Sequence, residues 1–74
     1  MRLANRMVLK EVVACNKAKI LVDYADIEFE LNYPPTLLDD VLDELEFYGY
    51  LVKFNEQYFR ATAKAYEYLG GKTQ

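Results

Sequence analysis

Pro34-Pro35 and Gly49 bracket the stretch of this chain whose local structure is most tightly constrained. Residues before a proline avoid the α region, and proline itself suits the first helical position, so a helix is expected to begin at Pro35. Behind it Leu38, Val41, Leu42 and Leu45 recur at helical spacing. Gly49 stands where a left-handed residue closes a helix. The spacing predicts a helix from Pro35 to about Tyr48, apolar on one face. The other side carries Thr36, Asp39, Asp40 and Asp43, with Glu44 and Glu46 behind them.

The remaining elements follow from the same signals. Residues 2–16 read as a helix with Ala4, Val8, Val12 and Cys15 on one face. Leu9 and Val13 widen that face on one side, Met7 and Ala14 on the other, and Leu3 extends it, so burial against more than one neighbour is expected. Arg6, Lys10 and Lys17 form a basic stripe opposite. Ile20-Leu21-Val22 suits a short strand. Asp23 suits the N-cap of a second helix through Leu31, with Tyr24, Ile27 and Leu31 facing inward. Tyr50–Phe54 and Tyr58–Ala61 read as two strands joined through Asn55-Glu56-Gln57, with Lys53 and Arg60 expected across from each other. Thr62 is the expected cap of a last helix through Leu69, which Gly70-Gly71 stops. The expectation is a single α+β domain, mainly α, over residues 1–71, with 72–74 as a disordered tail.

Charge is segregated along this frame. Between Lys19 and Lys53 lie nine acidic residues and no basic one, whereas residues 1–19 hold five Lys/Arg against Glu11 alone. A helix face that does not interleave signs is expected to steer a basic partner or to imitate a DNA backbone; the plain alternative is a solvated face. Phe29 and Phe47 fall opposite the apolar faces of their own helices. Unless each packs on a neighbouring element, they stand as exposed aromatic anchors rimmed by acids.

Several chemistries are disfavoured. The chain has no histidine, which removes the usual general base and the Ser-His-Asp and Cys-His nucleophile systems. A single cysteine, Cys15, gives no internal disulfide and no zinc pattern; its place on the first helix marks it as a small buried hydrophobe. No calcium-loop spacing occurs among the acids. No catalytic, cofactor-binding or metal-binding residue is assigned, and no enzyme activity is expected. The early apolar run is too short to span a bilayer, so a cytoplasmic protein is expected, in the host cytoplasm if it is viral.

The order helix, short strand, helix, helix, hairpin, helix resembles the winged helix-turn-helix superfamily. Leu37-Leu38-Asp39-Asp40-Val41-Leu42-Asp43-Glu44-Leu45-Glu46-Phe47-Tyr48-Gly49-Tyr50-Leu51 is similar to a recognition helix running into the wing. Tyr58-Phe59-Arg60-Ala61-Thr62-Ala63-Lys64-Ala65-Tyr66-Glu67-Tyr68-Leu69 resembles the Y-x-L-T-x-K-G-x-x-Y-L close of small prokaryotic members, with Ala61 for the usual Leu and Ala65 for the usual Gly. The resemblance implies a three-helix core with a two- to three-stranded wing sheet and a C-terminal helix. It also implies that the third helix would enter a major groove, yet its outward positions are acids that phosphates repel.

The expected function is therefore a regulatory or adaptor module acting through protein contacts. Asp39, Asp40, Asp43, Glu46, Phe47 and Phe29 would face a basic protein; where that protein is itself a nucleic-acid binder, it would be inhibited by DNA mimicry. The alternative is a dimeric DNA-binding transcription regulator that uses Arg6, Lys10, Lys17, Lys53 and Arg60, with the first helix building the homodimer.

Overall fold

A computed structural model describes residues 1–70 of the chain. It is α+β and mainly helical: α1 (Leu3–Asn16), β1 (Val22–Asp23), α2 (Tyr24–Leu31), α3 (Pro35–Phe47), β2 (Leu51–Lys53), β3 (Tyr58–Ala61) and α4 (Ala63–Tyr68). The expected tail over residues 72–74 lies outside the described residues.

The three strands form one antiparallel sheet in the order β1-β3-β2. Val22 and Lys53 flank Phe59, and Leu51 lies opposite Ala61. Side chains alternate across a strand, so Val22, Leu51, Phe59 and Ala61 point inward. They meet Val8, Leu9, Val12 and Val13 of α1, Ile27 of α2, and Leu38, Val41, Leu42 and Leu45 of α3 in one core. Helix α1 packs on α2, α3, α4 and the sheet, which explains why its apolar arc is so wide.

Local chemistry sets the boundaries. The Asp23 carboxylate accepts from the Ala25 N–H at 3.0 Å and starts α2. Gly49 (φ +86°) closes α3: its N–H donates to the Glu46 carbonyl at 3.0 Å and that of Tyr50 to the Leu45 carbonyl at 2.8 Å. That pair of bonds is a Schellman cap. The hairpin turn is closed by the Asn55 side chain, whose Oδ1 accepts from the N–H groups of Gln57 and Tyr58, both at 2.8 Å.

Four expectations are corrected. The first strand is Val22–Asp23 and not Ile20–Val22, because the carbonyls of Lys19 and Ile20 are held by the Asn16 Nδ2 at 3.2 and 3.1 Å. Ile20 is left exposed. Thr62 precedes α4 but makes no side-chain cap; its hydroxyl donates instead to the Gly49 carbonyl at 2.7 Å and ties α4 to the end of α3. Leu3, Met7 and Ala14 do not extend the core face of α1 but are exposed. Finally, Lys53 pairs with Phe59 and Arg60 with Val52. A one-residue difference in register puts Lys53 and Arg60 on opposite faces of the sheet.

Candidate functional site

Burying Leu38, Val41, Leu42 and Leu45 sets the rotation of α3. Thr36, Asp40, Asp43 and Phe47 then fall on the opposite side as one ridge, at intervals of four, three and four residues, and all four are exposed. Asp39 and Glu46 flank the ridge on the hairpin side, and Glu44 flanks it on the α1 side.

The acids are less bare than their run in the sequence implies. Lys53 reaches Asp43 at 2.6 Å and Glu46 at 4.0 Å. Arg2 reaches Glu44 at 3.0 Å, and Lys19 reaches Asp26 at 2.6 Å. The cations that pair with the acids of α2 and α3 come from outside the acidic block, across the fold. The Lys19 ammonium holds the Asp26 carboxyl below the usual carboxylate range, mainly through the hydrogen bond between them. The Asn5 amide, with Arg2 second, does the same for Glu44. Among the described residues Asp40 is in no ion pair and no side-chain hydrogen bond, so it is the ridge acid whose charge is uncompensated.

Asp39 accepts from the Tyr24 hydroxyl at 2.9 Å. Burial and that acceptor push the Tyr24 phenol up to about 12, so it stays a donor across the neutral range. Tyr24, Asp39, Asp43, Lys53, Asp23 and Gln57 line most of an open groove of about 820 Å³ between α3 and the hairpin. Its acids are Asp23, Asp39, Asp43 and Glu56, and its one lysine, Lys53, is already engaged with Asp43.

The two phenylalanines do not pack on neighbouring elements. Phe29 is 86% exposed and Phe47 is 81% exposed. They are not joined into one patch by a ring contact: Phe47 meets Tyr48 edge-on, with centroids 5.0 Å apart and an angle of 89°. Tyr50 turns instead to Tyr68 and lies under the Lys64 ammonium at 4.6 Å. The aromatic end of the ridge is therefore Phe47 with Tyr48, whereas Phe29 stands by itself on α2.

Of the basic residues, Arg6, Lys10 and Lys17 are exposed on α1 and are in no ion pair among the described residues. Arg60 lies on the outer face of the sheet. Lys53 turns the other way, to α3, so the five do not make one surface.

Two asparagines escaped the sequence reading. Asn5 is 6% exposed; its Nδ2 donates to Glu44 at 2.7 Å and its buried Oδ1 has no partner among the described residues. The available signal was its spacing, three and four residues before Val8 and Leu9 on the core face. Asn16 holds the start of the sheet, and it carried the same signal, four and three residues after Val12 and Val13. Cys15 is only half-buried, contrary to expectation, and its thiol donates to Glu11 at 3.8 Å. Burial and the Glu11 charge push that thiol up, which keeps it protonated and poorly nucleophilic.

Among the described residues no three His, Cys, Asp or Glu side chains are grouped to hold a metal ion, and no helix is long and apolar enough to cross a membrane. Comparison of the chain with protein-family models, curated proteins and solved structures finds no match.

Proposed function

We propose that this chain is a small winged helix-turn-helix module of the cytoplasm that acts through protein contacts, with the α3 ridge as its presenting surface. The fold part of this reading is supported by the order of elements and by the strand order β1-β3-β2, which lays the hairpin beside the end of the third helix. The functional part is carried by one observation: Phe47 stands 81% exposed on the same ridge as Asp40 and Asp43. An aromatic ring left in water by a folded domain is an anchor that becomes useful when a partner buries it. The acids beside it steer a basic partner toward it and raise the on-rate more than the final affinity. Where that partner is itself a nucleic-acid-binding protein, the ridge would occupy its site as a DNA mimic.

The competing reading, a DNA-binding regulator, has in its favour that Arg6, Lys10 and Lys17 are in no ion pair among the described residues. Against it, Lys53 is engaged by Asp43 and Glu46, and phosphates would meet the Asp40 charge at the third helix. Fluorescence anisotropy with a random DNA duplex separates the two. No binding is expected even at about 50 mM salt. Micromolar binding that collapses by about 200 mM salt, and that Lys10→Glu abolishes, would overturn the protein-docking reading.

A further inference from the structure

The fold leaves two helical ridges uncovered, and their spacings are identical. On α1 the outward residues are Leu3, Met7, Lys10 and Ala14, all exposed. On α3 they are Thr36, Asp40, Asp43 and Phe47. Both run at i, i+4, i+7 and i+11, the interval that keeps side chains on one line of a helix, over about 16 Å. Laid antiparallel, the ridges match position by position. Leu3, 73% exposed, meets Phe47; Lys10 meets Asp40; Ala14 meets Thr36. Met7 then lies opposite Asp43, with the guanidinium of Arg6 beside it. A parallel alignment sets Leu3 on Thr36 and Ala14 on Phe47, which leaves the large apolar side chains without each other.

Within one molecule the two ridges cannot meet, because α1 and α3 already pack together through their opposite, buried faces. We propose that the α3 ridge of one copy docks antiparallel on the α1 ridge of a second copy. This rests on the docking reading above and names its partner: the basic surface is helix α1 of another identical chain. Lys10 and Asp40 are in no ion pair among the described residues, so their union displaces no existing contact, while Asp43 keeps Lys53 at 2.6 Å. The contact joins two different surfaces, so each copy retains one free ridge and association propagates head to tail.

Sedimentation equilibrium up to about 1 mM protein covers the weak affinities expected of one helix pair. The chain is expected to assemble with concentration, and roughly tenfold more weakly at about 500 mM than at about 50 mM salt. Two surface variants test the geometry, with circular dichroism to show that each is folded. Leu3→Glu/Lys10→Glu removes the α1 ridge, and Phe47→Glu removes the α3 ridge. Each is expected to be monomeric by itself, and their mixture to form a one-to-one dimer, since each supplies the ridge the other lacks. A wild-type chain that stays monomeric, or a mixture that fails to pair, overturns the proposal. A monomeric wild-type chain whose capture of a basic protein is still lost in Phe47→Glu would reject the second copy as partner and leave the docking surface standing.

Discussion

Replacing Phe59 by alanine is expected to leave little cooperatively folded protein. Phe59 is the largest of the fully buried side chains and sits in the central strand, opposite Val22 on one side and Lys53 on the other. It joins the sheet to the helical core, so its removal opens a cavity that neither can close alone. Phe→Ala changes at such sites cost about 3–5 kcal/mol. A domain of this length carries about 4–11 kcal/mol in all. The thermal midpoint followed by circular dichroism is expected to fall by at least about 12 °C, or the transition to disappear. A midpoint within a few degrees of the wild type would show that Phe59 is not the joint between the layers. Phe47→Ala is the contrasting case. That ring is exposed, and its loss is expected to change stability by less than about 0.5 kcal/mol.

The second large effect is expected at Asn16, whose side chain bonds both the turn that follows it and a strand far along the chain. Its Oδ1 accepts from the Ala61 N–H at 2.7 Å, at the end of β3. Its Nδ2 donates to the Lys19 and Ile20 carbonyls at 3.2 and 3.1 Å. One amide thus clamps the end of α1, the turn into β1 and the central strand. Asn16→Ala removes three hydrogen bonds and strands a part-buried N–H, a loss of about 2–4 kcal/mol. Urea unfolding should show a lower midpoint with an unchanged slope. Asn16→Asp keeps the acceptor for Ala61 but loses both donors, so an intermediate midpoint is expected. Equal stability of Asn16→Ala and the wild type would mean that the turn is held by other groups.

These two residues mark the limit of what was legible beforehand. Helix α3 could be read to within a residue because its signals are local: a proline at N1, four apolar residues at helical spacing and a glycine in the left-handed region. Asp23 as a cap and the turn at Asn55-Glu56-Gln57 were legible for the same reason. Asn16 was not, since its partner Ala61 lies 45 residues away. Thr62 resembles a cap by its position, but its hydroxyl is turned to donate to the Gly49 carbonyl and accepts from no N–H of α4. The same holds for the site. The exposure of Phe29 and Phe47 followed from helical phase once nothing packed over them. The neutralisation of Asp43 and Glu46 depended on the register of β2, which sends Lys53 to α3 and away from Arg60. Charge counted along the chain could not show which acid of the α3 ridge remains free; charge placed in space leaves Asp40 among the described residues.

If the α3 ridge is a surface for protein, a photo-reactive side chain at position 47 captures what docks there. With Phe47 replaced by benzoylphenylalanine, irradiation in the cells that make the protein is expected to yield a discrete protein adduct. That adduct should vanish when Asp40→Lys and Asp43→Lys are added. No adduct at position 47, or one indifferent to the charge reversal, would mean that the α3 ridge is not a protein-binding surface.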